Sequence, residues 1–198
     1  MAVMPPDAPT EPQEYEPLSA TEKRVLLELV RRALERYLDD GSLPEMPAAS
    51  SALLAPRATF VTLRRRDTGE LRGCRGESEA QRPLVESVIH TAIASATADS
   101  RFPPITLAEL ADIHIEISAL TPMRLAAPEQ VIMGQHGVVL HLGPNAGLLL
   151  PQVPASFGWN REEYLDALCR KAGLSVGAWR NPDSRLYTFE AEIWSEEE

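Results

Sequence analysis

Thr59-Phe60-Val61-Thr62-Leu63-Arg64-Arg65-Arg66-Asp67-Thr68-Gly69-Glu70-Leu71-Arg72-Gly73-Cys74-Arg75-Gly76 decides how this chain folds. Phe60, Val61 and Leu63 belong to a short run of strand-formers, Asp67-Thr68-Gly69 supplies turn chemistry, and Leu71 resumes an extended pattern. The stretch therefore reads as a β-hairpin whose return strand carries Cys74. Working outward, Ser19 with Glu22 makes a capping box, and Val25, Leu26, Leu29, Val30, Ala33, Leu34, Tyr37 and Leu38 recur at helical spacing. A helix over 19–39 is expected, stopped by Gly41, with a proline-punctuated connection over 44–56.

Downstream, residues 83–97 place Leu84, Val85, Val88, Ile89, Ala92, Ile93 and Ala96 on one broad face with Pro83 in the first turn, a helix suited to covering the sheet. Thr106 and Glu109 form a second capping pattern. Ile113, Ile115, Ile117 and Ala119 then alternate with His114, Glu116 and Ser118, a strand with one buried and one polar face. Val131–Met133, Val138–Leu142 and Leu148–Leu150 read as strands of a meander between glycine-bearing turns. Asn160 and Glu163 open a helix carrying Tyr164, Leu165, Leu168 and Ala172, with Gly173 at its end. Tyr187, Phe189, Ala191 and Ile193 alternate as a final strand. Many strands joined by short connections favour an α+β fold, a mixed and largely antiparallel sheet flanked by helices.

Composition narrows the function classes. With 44% hydrophobic and 24% charged residues in 198, the chain reads as globular. A formal net charge of -10 argues against broad attraction to nucleic acid or an anionic membrane, so the Arg64-Arg65-Arg66 run reads as a solvated edge beside a turn. No segment has the apolar length to span a bilayer and no signal-peptide pattern opens the chain, which makes a cytoplasmic protein the expectation. Cys74 and Cys169 are the two cysteines, too few and too far apart for a zinc-ligand set or a dense disulfide framework. Reduced thiols follow. Residues 1–17 are proline-rich and lack apolar periodicity, which reads as a flexible lead; 18–194 form the domain, and 195–198 an acidic tail.

Cys74 is the candidate working group. Regular alternation puts Arg72 on its face with alpha carbons about 6–7 Å apart, within guanidinium reach of a thiolate. Gly73 and Gly76 also permit a second arrangement, a curl of N–H groups that binds an anion. Both place negative charge near Cys74. The plain alternative is a small buried cysteine with glycines at a bulge. Asp99 follows a helix C-terminus, where a carboxylate needs a partner, and Arg101 is the nearest; Phe102 before Pro103 stiffens that loop. His136, in a turn between Gln135 and Gly137, could serve a thiol as base, or be an ordinary turn histidine. His114 lies on the polar strand face. Cys169 in its helix reads as packed. No phosphate loop, dinucleotide fingerprint, zinc helix or iron–sulfur cysteine cluster occurs, so neither cofactor nor metal is expected.

Phe60-Val61-Thr62-Leu63, Leu71 to Gly76 and Asp99-Ser100-Arg101-Phe102-Pro103-Pro104-Ile105 resemble the AMMECR-type domain family, often named AmmeMemoRadiSam system protein A in bacteria and archaea. The resemblance continues through Gln135-His136-Gly137, Leu150-Pro151-Gln152-Val153 with Trp159, and Leu168-Cys169-Arg170-Lys171-Ala172-Gly173, over roughly residues 19–194. Arg75 departs from it, standing where the hexapeptide is commonly apolar. The resemblance implies two unequal subdomains and an association with Memo-like and radical-SAM proteins, without implying an activity. Two functions stay open. One is an enzyme acting on a small anionic or carbonyl substrate, with Cys74 as nucleophile, Arg72, Arg101 and the backbone at Gly73 and Gly76 holding negative charge, and His136 or Asp99 managing protons. The other is a non-catalytic adaptor or binding domain for a Memo-like or radical-SAM partner.

Overall fold

Ser19 starts the first helix as expected: its hydroxyl accepts the Glu22 N–H while the Glu22 carboxylate accepts the Ser19 N–H. The structure, a computed structural model, describes residues 17–46 and 49–196. The lead expected over 1–17 thus falls almost wholly outside the described residues. Among the described residues the chain divides into two compact units, a larger one over 17–120 together with 192–196, and a smaller one over Thr121–Ala191.

In the larger unit, α1 (Ala20–Asp40) buries Leu26, Leu29, Val30, Ala33 and Leu34 and ends at Gly41, whose φ of 79° is the left-handed conformation that glycine adopts without strain. A four-residue helix, α2 (Ser51–Leu54), capped by Ser50, interrupts what the prolines suggested was a plain connection. β1 (Thr59–Arg65) and β2 (Leu71–Gly76) form the expected hairpin. α3 (Leu84–Thr97) follows, and β3 (Ile113–Leu120) pairs antiparallel with β1. The sheet order is β2-β1-β3-β8, where β8 is Ala191–Ser195. Val61, Leu63, Ile113, Ile115, Ile117 and Ala119 face α1 and α3 in one apolar core, which is the side on which the hydrophobic alternation placed them.

β8 is fastened to α1 by charge. The Glu192 carboxylate accepts the Leu18 N–H and pairs with Lys23 and with the buried Arg57, which also donates to the Ala119 carbonyl. Glu196 carries both Arg31 and Arg66. Structure therefore continues through Ser195 and Glu196, where composition alone suggested a tail.

The smaller unit holds a second sheet of order β4-β7-β5-β6, from β4 (Arg124–Leu125), β5 (Gly137–Leu142), β6 (Asn145–Leu149) and β7 (Arg185–Phe189). α4 (Val153–Phe157) and α5 (Arg161–Lys171) complete it, the latter opened by an Asn160–Glu163 capping box. Tyr164, Leu165 and Leu168 seat α5 on Val138 and Leu140. Two expectations change here. Val131–Met133 is not a strand, because a 3-10 turn over Pro128–Gln130 precedes it and the Ile132 carbonyl is taken by the N–H of His136. The single final strand is two, β7 and β8, in different sheets and separated at Glu190.

Candidate functional site

Thr62 and Cys74 are direct neighbours across the hairpin, and the Thr62 hydroxyl donates to Sγ of Cys74 at 3.4 Å. Their closeness follows from the ladder. Cys74 directs its N–H and C=O away from β1, so the two residues form a non-hydrogen-bonded pair, the kind in which side chains approach most closely. Glu116 on β3 stands opposite Thr62 on its other side, so Cys74, Thr62 and Glu116 form one row across three strands. The next row along the same face is Gly76, Phe60 and Ser118. His114 precedes Glu116 on this face, opposite Arg64.

α3 covers the other face, and it explains Gly73. A Cβ there would lie 2.2 Å from the Ser95 carbonyl oxygen, so the helix backbone occupies the space of a side chain. The Ser95 hydroxyl then reaches into the ladder, accepting the Arg75 N–H at 2.8 Å and lying 2.7 Å from the Val61 carbonyl. Gly73 and Gly76 are both extended strand residues without positive φ, which corrects the anion-binding curl: successive N–H groups of a strand point to opposite sides and cannot converge.

A negative group does sit at Cys74, and it comes from the chain. Asp99 is buried, and Oδ2 accepts the Cys74 N–H at 2.9 Å. Arg101 donates to the same carboxylate through Nε at 2.9 Å, Nη2 at 2.6 Å and its backbone N–H at 3.2 Å. It also lies 3.5 Å from the Cys74 carbonyl oxygen through Nη2. The ion pair thus occupies both outward-facing backbone groups of Cys74, as a neighbouring strand would. The Arg101 guanidinium first, and then the N–H groups of Cys74 and Arg101, hold the Asp99 carboxyl well below the usual carboxylate range against the opposing effect of burial. Arg101 in turn keeps its proton more tightly, chiefly through Asp99 and to a smaller degree through the Cys74 sulfur.

Arg72 does not reach the thiol. The register shifts between Leu63 and Arg64, leaving Arg72 as the extra residue of a bulge, and its guanidinium binds the Glu109 carboxylate at 3.1 Å and the Pro103 carbonyl at 2.8 Å. With 11% of its side chain exposed, it fastens the 99–109 loop to β2. Alternation assumed a regular strand, and the bulge re-aims the residue.

His136 belongs to the smaller unit. Its Nδ1 accepts the Ile132 N–H at 3.2 Å and its Nε2 lies 3.9 Å from Glu190. An imidazole whose Nδ1 accepts carries its proton on Nε2 when neutral, so no ring nitrogen is open as a base in this arrangement. Below its loop, the buried Tyr164 hydroxyl lies within hydrogen-bond distance of the carbonyls of His136, Leu149 and Leu150. Both cysteines are free thiols, and Cys169 is fully buried with burial pushing its thiol up.

Cys74, Asp99 and Arg101, each named from the sequence as a candidate, lie in contact, whereas the sequence reading did not name Thr62 or Glu116 as site residues. Their signal was the register: once β1 pairs with β2 and β3, the polar face of Ile113–Leu120 must share a row with Thr62 and Cys74.

The AMMECR1 family model matches residues 27–194. The chain belongs to the AMMECR1 family. Protein MK0488 of Methanopyrus kandleri is 41% identical to this AMMECR1 chain over 191 residues, spanning 92% of each. Protein PH0010 of Pyrococcus horikoshii is 41% identical over 182 residues, covering 87% of the chain and 88% of the relative. The crystal structure of that uncharacterised protein superposes with a TM-score of 0.83, over 87% of this chain and 90% of that one. The α+β fold in two unequal subdomains is therefore that of the family. No helix among the described residues is long and apolar enough to cross a membrane.

Proposed function

We propose that the AMMECR1 domain uses Cys74 as a nucleophilic thiol on a small carbonyl-bearing or anionic substrate. The observation that carries this reading is the Thr62 hydroxyl donating to Sγ, because a hydrogen bond to a sulfur favours its charged, reactive form. Arg101, paired with Asp99, stands at the carbonyl of Cys74. Cys74 is partly exposed, in contrast to the buried Cys169. Asp99 serves as a positioning group: a carboxylate held that far down is a weak base, and its oxygens are engaged by backbone and guanidinium. Proton handling falls to Glu116, the carboxylate opposite Thr62 on the thiol's own face.

Docking to a Memo-like or radical-SAM partner through these arginines draws less from the geometry. Arg72 and Arg101 already hold Glu109 and Asp99, so neither offers an unspent charge. Iodoacetamide labelling of the full chain, followed at the Cys74 peptide by mass spectrometry, tests the reading. Cys74 should react faster at neutral pH than the same cysteine in an unstructured peptide. Thr62→Val should slow it about tenfold, since hydrogen bonds to charged groups contribute about 1.5–3 kcal/mol. A Cys74 that labels no faster than the free peptide defeats the nucleophile.

A further inference from the structure

Gly76 has no turn to make, yet a side chain there would displace the Phe60 ring. A Cβ at that position would lie 2.2 Å from Cδ1 and Cγ of Phe60 and 2.6 Å from Cε1, so the aromatic ring lies directly over the Gly76 backbone. Gly76 and Cys74 are two apart on β2 and share a face, which makes the ring the thiol's neighbour along the strand. Phe60 stays partly exposed, whereas Thr62 beside it is buried. A large apolar side chain, lying over a glycine and left partly in solvent, forms a wall next to the partly exposed Cys74.

A second observation lies on the other side of Phe60. Ser118, opposite it on β3, is 1% exposed, and its Oγ has no hydrogen-bond partner. A buried hydroxyl left unpaired is unfavourable, and it shares its face of the sheet with the thiol and Glu116. It is a covered hydroxyl with no acceptor, on the face that carries the thiol.

We propose that Phe60 is the specificity element of this site, stacking a planar, apolar group of the ligand beside the carbon that Cys74 attacks, with the Ser118 hydroxyl available to a ligand carbonyl. The ligand class is then a planar, commonly aromatic, carbonyl compound. The assignment rests on the nucleophilic reading of Cys74 and adds to it what the thiol prefers.

Maleimides supply the probe. The Cys74 thiolate forms a bond from Sγ to an alkene carbon; the C=C π bond breaks, its pair passes to the other alkene carbon as an enolate, and water returns the proton. N-phenylmaleimide and N-ethylmaleimide are compared by labelling rate at the Cys74 peptide, each normalised to the rate with glutathione. The phenyl-to-ethyl preference of the protein should exceed that of glutathione by about two- to tenfold, the range that aromatic pairing supports. Phe60→Ala should return it to the glutathione value and Phe60→Tyr should retain it. If Phe60→Ala does not fold, Phe60→Leu, which keeps apolar volume without an aromatic face, carries the same comparison. A wild-type preference equal to that of glutathione, or one unchanged without the ring, overturns the assignment. Because the preference is a ratio, it is independent of absolute reactivity: a slow thiol defeats the nucleophile, and a fast thiol with no preference defeats the role of Phe60 alone.

Discussion

Asp99→Asn isolates the ion pair that holds Cys74. The carboxylate accepts four N–H groups, from Cys74 and from the backbone, Nε and Nη2 of Arg101. Asparagine keeps the shape and one acceptor oxygen but turns an NH2 toward donors on the other side, so the Cys74 N–H or an Arg101 N–H faces another donor. Hydrogen bonds to charged groups contribute about 1.5–3 kcal/mol, and an orphaned buried donor costs about 1–3 kcal/mol. Since 55% of the Arg101 side chain is exposed, solvent screens the charge left unpaired, and we place the total at about 2 kcal/mol. The sign of the pH dependence follows from the lowered carboxyl: its contribution is present above the ordinary aspartate value of about 3.9 and fades as pH falls toward the folded one. The wild-type advantage over Asp99→Asn should hold at neutral pH and shrink below about pH 4. Urea unfolding at several pH values measures this, and amide exchange at Cys74 locates it. An exchange rate at Cys74 unchanged by the substitution, with a stability difference under about 0.5 kcal/mol, would refute the strand-mimic role of the pair.

Gly73→Ala should be severe, because the new Cβ meets a helix carbonyl, which cannot swing aside as a side chain tip can. A loss of about 3 kcal/mol is expected, with α3 displaced from β2; denaturation matching wild type would show that the close approach is not required. Tyr164→Phe removes the hydroxyl that sits under the 136 and 149–150 carbonyls. A loss of about 1–2 kcal/mol is expected, confined to the smaller unit and read by faster amide exchange along β5 and β6; equal loss of protection in β1 and β3 would contradict that confinement.

Much of the fold could be read from local signals. The capping boxes at Ser19 and Asn160 and the alternation of Ile113 to Ala119 are short-range features, and each yields the element expected of it. What failed was decided at long range. Tyr187 to Ile193 alternate without a break, but alternation specifies faces and not partners, and the chain changes sheets at Glu190, whose N–H and C=O both bind Thr121. The site shows the same division. Cys74 on a return strand and Asp99 beside Arg101 follow from neighbours in sequence, whereas the bulge at Arg72 and the row joining Cys74 to Thr62 and Glu116 depend on register across strands.

β2 is an edge strand, and an edge normally offers unpaired N–H and C=O groups to any extended chain. At Cys74 that offer is withdrawn: Asp99 takes the N–H, and Arg101 stands at the carbonyl. The same two side chains leave Sγ to the face of the sheet, where Thr62 meets it. Backbone recognition at this residue is thereby closed while side-chain chemistry stays open. A peptide adding to the sheet at Cys74 would have to displace a buried, doubly bonded ion pair, whereas a small ligand approaching the sulfur displaces nothing of it. The hexapeptide and the 99–105 loop together therefore favour a small molecule at the thiol over a strand-like partner, with Arg101 committed to the Asp99 pair at the Cys74 backbone and Arg72 committed to fastening the loop that carries that pair.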